Sequence, residues 1–256
     1  MADNHKLLQE LINAVEDKAA SKTIEDLRIG LCYTGVLLSD GHLGLAYTFK
    51  SPHSNTCCVR IESGSFKGKR ATEVIRCSLS DNLLESSIGI ATINALANQT
   101  VEEVIEGDVL DIVTFHPSDT VGMIGFFGPL VGPLRASVKS LFIFEEKDMP
   151  HTPDVYPSAR TVEILPQCDV IIISATTLIN KTMEPLLQLS KNARETIILG
   201  ATTPLIPRTF ISRGITMLSG VVVVDTAKVL RVISEGGGMR DFKNIIKKVN
   251  LILKKV

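Results

Sequence analysis

The 256-residue chain has no surplus of either charge: 27 lysines and arginines stand against 28 aspartates and glutamates, a formal net charge of −1. Nucleic-acid binding draws on cations that displace counterions from phosphates, so this balance argues against a nucleic-acid partner. Long apolar runs are missing as well. No stretch reaches the roughly 18 uninterrupted apolar residues that span a bilayer, and no membrane partner is expected. The opening MADNHKLLQELINAVEDKAA has an amphipathic helical pattern, not a charged start followed by an apolar plug. Five cysteines (Cys32, Cys57, Cys58, Cys77 and Cys168) make an odd set. With no leader pattern ahead of them, reduced thiols and a cytoplasmic location are expected.

Chemical motifs are scarce too. No C-x-x-C, H-x-x-x-H or H-E-x-x-H spacing occurs. Cys57 and Cys58 are adjacent, and neighbours on a strand point to opposite faces. A metal site would have to be assembled from distant loops, drawing on His116, His151 and Asp154. The absence of G-x-S-x-G speaks against serine hydrolase chemistry. Neither an internal repeat nor a low-complexity linker is present.

What the chain does have is a 45% hydrophobic composition and a positive mean hydropathy, the profile of a compact globular protein. Leu7, Leu8, Leu11, Ile12, Val15 and Ala19 recur at three- and four-residue steps, which predicts a first amphipathic helix. Leu27–Leu38 and Leu43–Phe49 read as two antiparallel strands around Asp40-Gly41, with a third strand at Cys57–Ile61. Helices are predicted at Ala71–Cys77 and from about Asp81 to Ala97. The latter carries Gly89 and Ala91, small enough to admit another backbone, and the polar Asn94 and Asn98. Thr100–Glu103 reads as a capping box opening a short helix.

After His116-Pro117 the pattern changes. Val121–Gly125, Leu141–Phe144, Val170–Ser174, Thr196–Leu199 and Ile215–Val224 are nearly continuous apolar runs separated by crossover segments. Such runs signal parallel strands covered on both faces. The fold class is therefore α/β: a small α+β domain over residues 1–110, then a Rossmann-like doubly wound parallel sheet over 111–256. The boundary falls near residues 108–118. Lysines 243, 247, 248, 254 and 255 read as the solvated face of a last helix. Val221–Val224 has the pattern of a strand that pairs either internally or across a homo-oligomer.

In such sheets ligands bind beyond the carboxyl ends of the strands, at the switch point where strand order reverses. The turn Gly122-Met-Ile-Gly125-Phe-Phe127-Gly128-Pro129 is neither G-x-G-x-x-G nor a Walker A loop, yet its glycines permit close backbone approach. Glu145 ends the second strand about 20 residues later, where nucleotide-binding folds place an acid on a ribose. Thr176, Thr177, Asn180 and Thr182 follow the third strand, and Thr202 and Thr203 the fourth. Each hydroxyl can grip a polar ligand or cap a helix. Glu235-Gly236 can bring bare backbone near a ligand.

Gly30-Leu-Cys-Tyr33-Thr34, Gly44-Leu-Ala-Tyr47-Thr-Phe49 and Gly89-Ile-Ala-Thr-Ile-Asn94-Ala95 resemble the small domain of the family named "Putative heavy-metal chelation". Gly122–Leu130, Ala175–Thr182 and Gly200–Pro207 resemble its larger domain, and the match runs in the same order over most of the chain. The resemblance implies a domain similar to the N-terminal domain of enolase joined to a Rossmann-like domain, with the active site between them. It also implies a role in heavy-metal chelation or corrinoid metabolism.

The expected function is binding, with or without transformation, of a small polar metabolite in the interdomain cleft: a metal chelator or its precursor. Tyr33, Asn94, Gly125, Phe127, Gly128, Thr176, Thr177, Asn180, Thr182, Thr202, Thr203 and Gly236 are its candidate ligand-binding residues. Glu145 and Glu235 are the candidates for proton transfer. Two alternatives stay open: a nucleotide- or S-adenosylmethionine-dependent transferase, and a non-catalytic metal-handling protein using His116 and His151. The pattern specifies no cofactor.

Overall fold

The computed structural model describes residues 5–49, 63–146 and 152–253. The strand expected at Cys57–Ile61, and His151, lie outside the described residues.

The first helix, α1 (Lys6–Ala20), buries the six-residue stripe read from the sequence. Strands β1 (Ile24–Ile29), β2 (Tyr33–Leu38) and β3 (Leu43–Tyr47) form an antiparallel sheet in that order. The run Leu27–Leu38 is thus two strands, not one. It folds at Gly30–Cys32, where the Gly30 N–H donates to the Tyr33 carbonyl at 2.9 Å. The expected turn at Asp40-Gly41 is present, with Gly41 at φ +86°.

Next come α2 (Ala71–Val74), continued by a 3-10 turn over Ile75–Leu79, and α3 (Leu83–Ala97). Asn82 caps α3 by accepting from the Leu84 and Glu85 N–H groups. Within α3 every residue except Leu83 and Glu85 is buried, so the helix has no polar face and sits inside the molecule. Two glycines allow this. A Cβ at Gly44 of β3 would strike the Ala91 carbonyl and Ala95 nitrogen of α3, and one at Gly89 would strike the backbone of Ser78.

The larger unit contains β4 (Ile105–Glu106), α4 (Val109–Ile112), β5 (Thr120–Ile124), α5 (Gly128–Ser137), β6 (Ser140–Phe144), β7 (Val155–Tyr156) and α6 (Thr161–Ile164). It continues with β8 (Val170–Ser174), α7 (Met183–Leu189), β9 (Glu195–Leu199), α8 (Pro207–Phe210), β10 (Met217–Val223), α9 (Thr226–Ser234) and β11 (Ile246–Ile252). Its eight-stranded sheet runs β7-β6-β5-β8-β9-β10-β11-β4. The first six strands are parallel; β11 and β4 are antiparallel additions. The parallel part has the strand order 3-2-1-4-5-6 of dinucleotide-binding folds, so its switch point lies between β5 and β8. Both faces are covered. Val121, Met123, Leu141 and Ile143 pack with Leu130 and Leu134 of α5, while Ile171, Ile173 and Ile198 join the core that includes α1 and α3.

Two expectations need correction, and one open point is resolved. Lys247 and Lys248 lie on strand β11, not on a helix, Lys243 is in the turn before it, and Lys254 and Lys255 lie outside the described residues. On β11, Lys247 and Lys248 pair with Glu106 and Asp108 beside β4, while Val249, Asn250 and Leu251 are buried. Helical lysine spacing was misleading because β10 needs a partner along its outer edge, and β11 supplies seven paired residues. That edge pairing also settles Val221–Val223: these residues pair internally, within the chain. Lastly, Thr100–Glu103 forms no helix beyond a 3-10 turn ending at Thr100, since Glu103 turns left-handed at φ +58° and leads into β4.

Candidate functional site

At the switch point the chain leaves β5 through Gly125, whose φ is +87° and whose N–H donates to the Phe144 carbonyl at 2.8 Å. An added Cβ there would touch the Ser174 side chain, which lies over the turn from the end of β8. Helix α5 then starts with exposed Gly128 and half-buried Phe127, and no side chain caps it. An uncapped helix start carries partial positive charge, a setting that favours an anion; here Pro129 has no N–H and Leu130 donates its own to the Phe127 carbonyl at 2.9 Å, so the Gly128 N–H is what the first turn offers. Glu145 lies alongside. Its carboxylate accepts from the Phe126 N–H at 3.2 Å and the Glu146 N–H at 3.0 Å. So the acid predicted at the end of the second strand is tied to the glycine turn.

The polar residues after β8 divide into two sets. The Ser174 and Thr176 hydroxyls are hydrogen-bonded at 2.8 Å, and Thr176 is half-buried. Thr177 is buried and donates to the Ser174 carbonyl at 2.7 Å. Asn180 accepts from the Thr182 hydroxyl at 2.7 Å and its N–H at 3.3 Å, closing a turn in which Lys181 takes φ +63°. Thr177, Asn180 and Thr182 therefore shape the loop internally, whereas Ser174 and Thr176 stand beside Gly125.

Lys181 was not among the candidates from sequence. Its ammonium donates to the Ser80 carbonyl, the Ser86 hydroxyl and the Ile179 carbonyl at 2.8, 2.6 and 2.9 Å. It joins the loop after β8 to the start of α3. Burial brings it down to about 8, opposed by Asp81.

Asn94, Thr202 and Thr203 belong to a seam between the two sheets. The Asn94 amide donates to the Leu45 carbonyl of β3 and the Thr202 carbonyl after β9, at 2.8 and 3.0 Å. Its own carbonyl oxygen is buried without a hydrogen-bond partner. The Thr202 hydroxyl accepts from the Tyr47 N–H, and Thr203 donates to the Ser219 carbonyl. Asn98 donates to the Thr203 and Val221 carbonyls and accepts from the Leu205 N–H. Gln99 bridges the Leu43 and Val223 carbonyls. Three amides, Asn94 and, one turn later, the adjacent Asn98 and Gln99, thus satisfy the outer edge of β3 and the part of β10 that extends past β9. Asn98 stands out in the sequence as a polar residue closing an apolar helix and Gln99 beside it does not; the partners of both are distant in sequence.

Tyr33 packs against Tyr47 and Phe242, and burial pushes its hydroxyl up to about 12, with Cys32 and Tyr47 adding to the effect. It stays protonated at neutral pH. Glu235 is exposed where α9 ends, and neighbouring Gly236 packs on Leu31 of the small sheet's turn. His116 is exposed before β5, at the amino end of the sheet and opposite the Gly125 turn. Asp154 pairs with Arg135 at 2.8 Å. Among the described residues no three histidine, cysteine, aspartate or glutamate side chains converge. No helix among them is long and apolar enough to cross a membrane.

Two family models match the chain, over residues 12–97 and 108–252, and both carry the description "Putative heavy-metal chelation". The chain is 28% identical to an uncharacterised protein of Methanocaldococcus jannaschii over 257 residues, covering 96% of each. A crystal structure of a protein of unknown function from Desulfitobacterium hafniense superposes with a TM-score of 0.83 at 24% identity, over 98% of this chain and all of that one. A second, from Pyrococcus horikoshii, gives 0.83 at 25% identity over 96% of this chain and all of that one. Both belong to the family of the second model.

Proposed function

The chain belongs to the family described as "Putative heavy-metal chelation", and from that premise we propose that it binds a small polar organic ligand, a metal chelator or its precursor, beside the Gly125 turn. One observation carries this reading. The reversal of strand order gathers the Gly125 turn, the uncapped start of α5, the Ser174–Thr176 hydroxyl pair and Glu145 at one end of the sheet. Chelators are rich in carboxylates and hydroxyls. The helix start suits the first, and the hydroxyl pair suits the second. Glu145 is the group placed to accept a hydroxyl or amine proton from the ligand.

Soft metal ions favour thiolate and imidazole ligands. The described residues of this crevice offer hydroxyls, backbone N–H groups and one carboxylate instead, so the metal enters this reading as part of the chelate. Corrinoid and tetrapyrrole precursors fit the same description. A cytoplasmic setting with reduced thiols belongs to the reading as well. A nucleotide or S-adenosylmethionine is the second reading, favoured by the 3-2-1-4-5-6 strand order.

The test is a thermal-shift screen against nitrilotriacetate, corrinoid and tetrapyrrole precursors, S-adenosylmethionine, ATP and divalent metals. A ligand at a hundredfold excess over its Kd adds about 2.7 kcal/mol, or roughly 5–10 °C for a chain of this size. The expected result is a shift with an organic chelator that is lost in Ser174→Ala/Thr176→Ala. A shift with metal alone, or one the double variant leaves unchanged, overturns the assignment. A shift confined to ATP or S-adenosylmethionine transfers it to the second reading.

A further inference from the structure

The described surface holds a concavity at the end of β6 away from the Gly125 turn. A cavity of about 450 Å³ is lined by Arg135, Lys139, Ser140, Phe142, Asp154 and Tyr156, with Val138 and Leu141 completing its wall. That volume is within the range of small-molecule sites. It lies where β7 is short: β7 pairs with β6 only at Ile143 and Phe144, which leaves the edge of Ser140–Phe142 that faces away from β5 with no strand alongside among the described residues. Ser140 and Glu145 are five residues apart on an extended strand, so this groove and the Gly125 crevice are about 16 Å apart.

Two features define what it would hold. Its floor is aromatic, with the Phe142 and Tyr156 ring centroids 5.5 Å apart and Tyr156 further fixed by the Arg160 guanidinium over its ring at 5.2 Å. Apart from the Asp154 carboxylate, its polar side chains can all donate. Lys139 Nζ and the Ser140 hydroxyl have no side-chain partner among the described residues. Arg135 is held in place by Asp154 at 2.8 Å and by its bond to the Pro153 carbonyl at 2.6 Å. The lining therefore carries two cations and one carboxylate. That excess of one positive charge is balanced by a monoanion, not a dianion.

We propose that this groove is a second ligand site, selective for a small aromatic carboxylate. The carboxylate meets Lys139 and Ser140 at the rim, and the ring lies on Phe142 and Tyr156. The reading is independent of the function assigned to the crevice.

Isothermal titration of the intact protein with 2-naphthoate, its carboxamide and 2-naphthyl phosphate tests it. Naphthoate should bind at least tenfold more tightly than the carboxamide, since one lost charge-assisted contact is worth about that factor. The phosphate should bind no more tightly than naphthoate. Lys139→Gln, an exposed substitution that leaves the core intact, should weaken naphthoate by about tenfold, and Ser174→Ala should leave it unchanged. No heat with naphthoate, equal binding of the carboxamide, tighter binding of the phosphate, or insensitivity to Lys139→Gln each overturns the proposal. Loss of binding in Ser174→Ala also overturns it, because the compound would then occupy the crevice.

Discussion

Replacing Asn98 with alanine removes the most heavily used side chain in the seam between the two sheets. Asn98 is 4% exposed and makes two short bonds, to the Thr203 carbonyl at 3.0 Å and from the Leu205 N–H at 2.9 Å. A third bond, to the Val221 carbonyl, is long at 3.4 Å and adds little. Each buried backbone group left unpaired costs about 1–3 kcal/mol. Two such groups give an expected loss of about 4 kcal/mol. For a chain of this size that is a fall in Tm of roughly 8–16 °C. Gln99→Ala is the internal comparison: it breaks bonds of 3.3 and 3.4 Å at a half-buried position and should cost about 1 kcal/mol or less. Asn98→Asp keeps the acceptor for Leu205 but sets a carboxylate against two carbonyl oxygens, so it should be no more stable than the alanine variant. Urea unfolding followed by circular dichroism measures all three. If Asn98→Ala lost less than Gln99→Ala, the seam would not be held by its buried amides.

Two further predictions concern packing and pH. Gly44→Ala, which drives a Cβ into the backbone of α3, should unfold the protein or leave it insoluble, whereas Gly41→Ala, with open space but φ +86°, should cost only about 1 kcal/mol. A soluble Gly44→Ala with near-normal Tm would mean that α3 can move away from β3. Lys181 has its folded value lowered to about 8 from an ordinary 10.5. Between those values the unfolded chain binds more protons, so this group's contribution to stability increases as pH rises from 8 to 10.5 and is constant below that window. The stability difference between the natural protein and Lys181→Met should shift in favour of the natural protein over that range, as read from urea midpoints at pH 7, 8.5 and 10. A pH-independent difference would show that burial leaves the ammonium's affinity for its proton unchanged.

Composition and periodicity determined the elements whose pattern is repeated and local. The stripe of α1, the Asp40-Gly41 turn and the five continuous apolar runs that became β5, β6, β8, β9 and β10 could all be read directly, because burial on one or both faces writes itself into residue spacing. The same spacing misassigned β11, where lysines at helical intervals happen to lie on a strand. What makes that segment a strand is the open edge of β10, a tertiary demand with no local signature. The tertiary structure also shows which of the candidate side chains are already hydrogen-bonded within the fold. The sequence lists hydroxyls and amides at strand ends without saying which of them are taken up by a neighbouring backbone. Thr177 and Asn180 turn inward to shape their loop, Asn94 and Thr202 stitch the two sheets together, and Ser174, Thr176 and Glu145 remain beside the Gly125 turn. A hydrogen-bonding group is committed only when its partner arrives, and for Asn94 and Asn98 the Thr202 and Thr203 carbonyls come from about a hundred residues further along the chain.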